Sequence, residues 1–557
     1  MKKVLLTVLL GSLGLVMAAQ NTVGLLSYDP SASFDGYNLF YPHNQPNVYL
    51  INNCGQLVHV WSDSSSLRPG NTAYLLPNGN LVKTKRPAAI AGNPIWAGGG
   101  GATVEIRSWD NELLWSYELN DEFRRLHHDI EPMPNGNILM IAWELKTEQE
   151  AIDAGRDPGL LPDGELWPDY ILEVEPIGAD DYEIVWEWHV WDHMIQDYDD
   201  TKANFGVVSD HPELIDINYD ESNGVADWLH SNAIDFNQEL DQIIFSVPTF
   251  NEIWVIDHST TTQEAAGHTG GLGKRGGDLL YRWGNPAAYQ SGGAAEQTLF
   301  YQHDPHWVDD FLDFTHPYFG KVAVFNNRAG SDFSTVNIFT PPFDMYDWEY
   351  PLDGSYWGPT ESDWTYTHPD PEKMYSTGLS SIQLLPNGNT LIGVGRTGYA
   401  FELTPDEEIV WEYVTPLKNG NPVEQGDTTL VLNDNLTFRM KRYPADFPGF
   451  DGKELDPIGY IETNPDTSFC DLLIPTIEVL SEYQLVFAPN PAGDQVTIEW
   501  KGMPQSQFEV YDLLGRLVTS FKASGGRKYL DTSAWEQGMY FVRIDGKEVR
   551  KLMIQRP

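Results

Sequence analysis

A short word recurs along the chain, and its spacing limits the possible folds more than any other feature. It reads LLPNGNLV (Leu75 to Val82), MPNGNILM (Met133 to Met140) and LLPNGNTLI (Leu384 to Ile392), with a looser copy from Asp235 to Ser246. Each copy is an apolar run broken by an Asn-Gly type turn, the signature of an antiparallel hairpin. A second word, two strands around a turn with a closing Trp, spans Val48 to Trp61, Val104 to Trp115, Ile171 to Trp188, Ile253 to Trp283, Val336 to Trp348 and Tyr399 to Tyr413, where the Trp is Trp411. Six such words interleaved with the first give about four short strands per unit, which predicts an all-β chain built as a six-bladed β-propeller. The first Trp word lacks a preceding partner and Gly426 to Phe438 lacks a following one, so the two are expected to complete one blade and close the ring.

The repeat also gives a phase. Seven residues before the turn Asn or Asp, taking Asp310 as the turn of the fourth copy, stand Asn71, His128, His230, His303 and Ser380. Positions of equal phase in a rotational repeat lie around one axis, so three distant histidines should converge on one pocket. A purely structural role would favour one residue type in every unit, whereas a pocket varies them. Three convergent imidazoles fit histidine-based catalysis or a metal, although ligands from three separate units lack the short spacing of a metal motif. Long insertions at about 145 to 169, 190 to 227, 258 to 281 and 350 to 376 are rich in Gly, Pro, Asp, Trp and Tyr, which predicts ordered loops over one face.

Charge and cysteine content narrow the partners. Lys and Arg number 34 against 81 Asp and Glu, a formal charge of −47 spread along the chain. Such a field repels nucleic acid and anionic membranes. It also repels an anionic substrate, so an anion site would need local cations such as Arg396, Arg439, Lys441 and Arg442. Residues 1 to 19 have the basic start, apolar run and small-residue end of an export signal, and no later run is long enough to span a membrane. The two cysteines, Cys54 and Cys470, are either unrelated buried thiols or one disulfide joining the two ends of the array.

From residue 484 the texture changes to a short β-rich module. Its PNP start, the YDLLGR word (Tyr511 to Arg516), Gly538-Met539-Tyr540 and the basic final strand resemble the C-terminal sorting domain of proteins exported by the type IX secretion system of Bacteroidetes. That resemblance implies a small β-sandwich over 484–557, passage through the periplasm, contact with the secretion machinery, and a secreted or surface-held product.

The longer part, about 24 to 450 within a propeller domain of 20–480, resembles the bacterial PAPS-independent arylsulfotransferases. The words that carry this are HHDIEPMPNGNIL (His127 to Leu139), WDHMIQDYD (Trp191 to Asp199), WLHSNAIDF (Trp228 to Phe236), Glu252 to Gly271, Asp278 to Pro286, QHDPHW (Gln302 to Trp307) and VFNNR (Val324 to Arg328). The resemblance implies a six-bladed propeller that moves a sulfuryl group from an aryl sulfate donor to a phenolic acceptor through a sulfohistidine, without cofactor or metal. The nucleophile of that family falls on His303, and its other site residues fall on His128, His230 and Asn232, with Thr397 as a further hydroxyl donor.

The chain departs from the family pattern at one point, because Pro248 stands at or near an expected arginine. Arg396, Arg328 or Arg442 would then have to supply the cation, and Asn326 joins Arg328 as a candidate substrate contact. Tyr37, Tyr41, Trp191 and Trp307 are candidates for an aromatic wall against the phenol. The acidic run Asp197 to Asp200 reads as a solvated loop or a Ca²⁺ site. The competing expectation is a non-catalytic surface propeller that binds a glycan, a phenolic or a protein, and a third is a metal-dependent hydrolase.

Overall fold

The structure, a computed structural model, describes residues 21–556 apart from 65–66, 88–92, 223, 471–483, 491, 502–504, 513–515, 525, 536 and 545–547. The expected export signal at 1–19 lies outside the described residues. The chain divides into two units, one of Met1–Trp307 with Val322–Cys470 and one of Val308–Lys321 with Asp471–Pro557.

The first unit holds six antiparallel sheets of four or five strands. In chain order, the first pairs Gly36–Pro42, Val48–Asn52 and Leu57–Trp61 with Thr437–Pro444 from the far end of the array. The second runs Leu67–Leu75, Leu81–Pro87, Thr103–Arg107 and Leu113–Glu118. The third runs Arg124–Pro132, Ile138–Glu144, Asp169–Ile177 and Asp181–His189. The fourth is Ala233–Asn237, Gln242–Val247, Glu252–Asp257 and Tyr281–Trp283, and the fifth His303–Trp307, Val322–Asn326, Thr335–Phe339 and Trp364–Tyr366. The sixth, Ser381–Leu384, Thr390–Val394, Tyr399–Leu403 and Ile409–Val414, takes Gly24–Tyr28 as a fifth strand.

One edge strand of each sheet faces its counterparts: Thr437–Pro444 packs on Leu67–Leu75, that on Arg124–Pro132, then Ala233–Asn237, His303–Trp307, Ser381–Leu384 and back to Thr437–Pro444. The sheets therefore stand in cyclic order, an all-β, propeller-like arrangement. Five of the six repeat tryptophans are ties between neighbours. Trp61, Trp115, Trp188, Trp283 and Trp411 are buried, and their indole N–H groups donate to carbonyls of Ser108, Asp181, Gly277, Pro359 and Asn53 respectively. Every acceptor lies beside a strand of the next sheet. An apolar interface between sheets is non-directional, and these bonds give it an angle while satisfying buried donors.

Two expectations are corrected. The outer strand of the fifth sheet is Trp364–Tyr366, inside the expected insertion, and Trp348 lies in a turn; the loop between them is too long for a tight hairpin to be read from pattern. The first sheet is completed by Thr437–Pro444, whereas 426–436 carries no strand.

At the inner end the sheets are joined by acids. Asp129 accepts the Ile234 N–H, Asp235 that of Trp307, and Asp304 that of Ile382, so each bonds the inner strand of the next sheet. Arg439 enters between them from the first sheet, with Nη2 2.9 Å from Asp129 Oδ2 and 2.7 Å from Asp304 Oδ1. The two cysteines form a disulfide with Cα atoms 6.0 Å apart and a sequence separation of 416. Closing so long a loop constrains the unfolded chain by on the order of 5 kcal/mol in the chain-entropy picture.

The second unit is built separately. A three-stranded sheet of Gln484–Ala488, Gln495–Lys501 and Arg527–Asp531 and a four-stranded one of Leu517–Ser524, Gln505–Asp512, Gly538–Ile544 and Glu548–Ile554 share one core that includes Ile498, Trp500, Phe508, Val542 and Leu552. Alternation of apolar residues along these strands places one face of each sheet in that core.

Arg439→Met keeps side-chain bulk but leaves Asp129 and Asp304 facing one another without a counter-charge. Urea unfolding of the full chain should register a loss of about 3–5 kcal/mol; a loss below about 1 kcal/mol would mean that the backbone N–H groups alone hold the two acids.

Candidate functional site

The phase positions reach a common place where the inner strands bulge or begin. Opposite the next strand, Arg124–Pro132 gains extra residues between Leu126 and Ile130, Leu67–Leu75 between Pro69 and Ala73, and His303–Trp307 between its ends. A bulge frees its residue from the ladder and re-aims the side chain. Asn71, His128, His230 and Ser380 all have positive φ, at 128°, 49°, 56° and 98°, outside the strand region for non-glycine residues. The strand Thr437–Pro444 bulges likewise opposite Tyr41, and the residue it turns in is Phe438, the sixth member that repeat arithmetic missed. Its ring lies 6.3 Å from that of His128 and 6.1 Å from that of His303.

The structure thus brings His128, His230 and His303 together. The His128 and His230 ring centroids are 4.6 Å apart and nearly perpendicular. Gly99 gives the space: a Cβ there would sit 2.0 Å from His128 Nε2, and its φ is +75°. The three imidazoles are not equivalent. His303 donates Nδ1–H to Asn327 Oδ1 at 2.8 Å, an orientation set because the Asn327 amide N donates to the Ser376 and Leu379 carbonyls. Its Nε2 accepts the Leu379 N–H at 3.0 Å. Burial pushes the His303 pKa down to about 3, so the ring is neutral at any physiological pH.

His128 is held well below its ordinary value by burial and by the neighbouring His230 and His127. Its Nδ1 meets His127 Nδ1 at 2.9 Å, and His127 in turn stacks on Trp143 and reaches Asp169. His230 goes the other way. Burial opposes its charge, but the Asp227 carboxylate, 2.5 Å from Nδ1, outweighs burial and raises the pKa. Asp227 is aimed by the Trp143 indole N–H at 2.9 Å. Imidazoles pushed apart in pKa within one site are the arrangement that acid–base chemistry uses.

His230 also opens onto a cavity of about 550 Å³ lined by Asp227, Pro248, Phe300, Tyr301 and Arg328, among others. The guanidinium carbon of Arg328 lies 3.6 Å from the Tyr301 ring centroid, and its Nε donates to the Thr377 carbonyl. Arg328 and the position where the sequence lacks its expected arginine therefore share one cavity. Arg396 stands on the His303 side, where its charge helps to depress that pKa, with Nη1 on Asn433.

Other expected residues have different duties. Asn232 is fully buried and donates to the Gln302 carbonyl, so it fixes the backbone beside His303. Asn326 ties Phe300 and Thr298, and Thr397 bonds back to Val394. Arg442 does not reach the histidines: it is fully buried against Glu402 and Asn38, because two sheets share that pair as their internal cross-link. Tyr41 and Trp307 are buried, Tyr37 packs on Phe450, and Trp191 lies under Lys146; the aromatic wall of the cavity is Phe300 and Tyr301 instead. Asp227 and Asn327 were missed, although each flanks a predicted histidine or its aligned word.

The arylsulfotransferase (ASST) family matches residues 111–424, and the secretion system C-terminal sorting domain matches residues 486–555. The latter marks an exported protein, destined for the cell surface or for release. Among described residues no helix is long and apolar enough to cross a membrane. No curated protein matches the chain. Similar solved structures include a protein of unknown function from Bacteroides caccae, at 11% identity over 68% of this chain and 94% of that one, TM-score 0.37. A periplasmic gluconolactonase from Pseudomonas aeruginosa is similar at 10% over 74% and 99%, TM-score 0.34. A virginiamycin B lyase from Staphylococcus aureus, with quinupristin, is similar at 9% over 64% and 86%, TM-score 0.30.

Asp227→Asn removes the charge that raises His230 and leaves the burial that lowers it. In a titration of histidine-labelled protein by NMR, the His230 midpoint should lie above 6.5 in the parent and below it in the variant. The sign for stability follows: the Asp227 contribution is complete below pH 6.5 and is lost as pH rises through the folded pKa.

Proposed function

The chain belongs to the arylsulfotransferase family, and on that premise we propose that it transfers a sulfuryl group from a phenolic sulfate ester to a phenol, with His303 as the nucleophile. We read the six sheets as the blades of a six-bladed propeller within 20–480, followed by a sorting domain over 484–557. One observation carries the chemical reading: a neutral imidazole and a charge-stabilised imidazole stand together beside a cavity lined by a guanidinium in a protein of net charge −47.

The steps follow from protonation. Because Nδ1 of His303 carries the proton given to Asn327, Nε2 is the attacking atom. The N–S bond forms as the S–O bond to the phenolate breaks, and His230, charged through Asp227, delivers its Nε2 proton to the departing oxygen. An acceptor phenol then gives its proton to the now neutral His230, its oxygen attacks sulfur, and the N–S bond breaks to restore His303. Arg328 and Arg396 offset the sulfuryl charge, the service expected of the arginine absent at Pro248, and His128 offers a neutral ring to a sulfuryl oxygen. The Leu379 N–H must release His303 Nε2 before attack, and it then faces the oxygens of the transferred group.

That same hydrogen bond favours the second reading, a surface propeller that binds its partner without turnover and keeps His303 as a tie to Leu379. The two are separated by p-nitrophenyl sulfate with a phenol acceptor. Transfer requires nitrophenolate release that depends on acceptor and yields the acceptor's sulfate ester. His303→Ala should lower this rate at least about a thousandfold, and Arg328→Ala by about a hundredfold. Binding of aryl sulfates with no release across a range of acceptors would favour the second reading.

A further inference from the structure

Two of the long insertions meet away from the cavity, and they bring together side chains that the transfer reading leaves unused. His193 follows the short turn Val190–Asp192, and His268 and Asp278 belong to the loop between the last two strands of the fourth sheet. Among the described residues these three form a group whose ligand atoms all lie within 4.8 Å of one another. Asp278 Oδ1 is 2.9 Å from His193 Nδ1 and 2.7 Å from His268 Nδ1.

The decisive detail is on the far side of His193. Its Nε2 lies 2.8 Å from the Ala265 carbonyl oxygen, which only accepts, so Nε2 carries the hydrogen. That hydrogen bond leaves Nδ1 as the ring nitrogen facing the Asp278 carboxylate and His268. A metal-bound histidine has this same pattern, with one nitrogen on the cation and the other donating to a backbone carbonyl.

The surroundings hold the geometry. The His193 ring is buried and stacks nearly parallel to Trp188, 5.5 Å between centroids. A Cβ at Gly277 would meet His193 Nε2 at 2.6 Å and the Ala265 oxygen at 1.9 Å, so a glycine is needed for this close approach. His268 is the open side, with a side chain 61% exposed. The two contacts on Asp278 Oδ1, at 2.9 and 2.7 Å, need to spread by about half an ångström to match neighbouring ligands around a tetrahedral cation with bonds of about 2.0–2.2 Å.

We propose that His193, His268 and Asp278 form a binding site for a divalent cation of the Zn²⁺ type, which clips the insertion after Trp188 to the loop before Tyr281 and keeps its fourth coordination position toward solvent. Two imidazoles and one carboxylate suit a borderline first-row metal better than Ca²⁺ or Mg²⁺, which take oxygen ligands. The site is independent of the transfer chemistry and stands or falls without it.

The test uses full-length protein stripped with chelator and titrated with Zn²⁺ alone by calorimetry and thermal unfolding. The parent should take up one equivalent with a rise in Tm, and Co²⁺ in its place should give the visible absorption of a tetrahedral centre. His268→Ala alters an exposed side chain, so its metal-free Tm should match the parent while its Zn²⁺ affinity falls at least about a hundredfold. Asp278→Asn should lose the same affinity, and His230→Ala in the cavity should keep it. Absence of Zn²⁺ uptake by the parent overturns the proposal. Equal uptake by the parent and His268→Ala, or loss of uptake in His230→Ala, also overturns it by moving the cation elsewhere.

Discussion

The tryptophan that ends a repeat and gives its indole N–H to the next sheet is the contact on which the first unit depends. No sheet continues the hydrogen-bond ladder of its neighbour, so the interfaces between them are apolar side chains that would slide without a directional bond. Trp61, Trp115, Trp188, Trp283 and Trp411 supply one such bond each at the outer part. Asp129, Asp235 and Asp304 do the corresponding work at the inner edge. With both ends of the sheets tied, the inner strands can tolerate bulges that would otherwise weaken them. Those bulges turn Asn71, His128 and Phe438 inward, while His230 and Ser380 stand just before their strands.

The field inside differs from the field outside. A chain with formal charge −47 keeps few cations, and the buried ones are spent on structure: Arg442 on Glu402, Arg282 on Glu252, Arg439 on Asp129 and Asp304. Arg328 is exposed and lies on the cavity beside His230. Arg328, stacked on Tyr301, and Arg396, near His303, put positive charge beside the histidines within a strongly negative protein. Asp227 adds a second asymmetry, since one carboxylate makes His230 the ring that carries charge.

Much of this is legible in the amino-acid order, for a physical reason. Hairpin turns and closing tryptophans are local, so their spacing reports the sheet order, and rotational repetition converts equal spacing into equal position. His128, His230 and His303 are recovered that way, and so is the packing role of the tryptophans. What fails is whatever depends on long-range geometry. Phe438 escapes because no PNGN turn follows its strand, and Trp364–Tyr366 because a long loop precedes it. Arg442 and Arg328 look alike in a string of letters, and only the position of Glu402 separates a structural guanidinium from one at a cavity. The Leu379 N–H on His303 Nε2 is a backbone group and leaves no mark in the sequence.

The bond between Cys54 and Cys470 has a further consequence for a protein that leaves the cell. It joins the first sheet to the end of the array across a separation of 416 residues, so nearly every exposed loop of the first unit lies inside one covalent circle. A protease that cuts any of those loops once opens the circle without releasing a fragment. The two pieces remain a single molecule until a reductant appears, and the cut sheets stay held by their neighbours. Outside the cell, where proteases are common and reductants scarce, the chain can be nicked and still be whole.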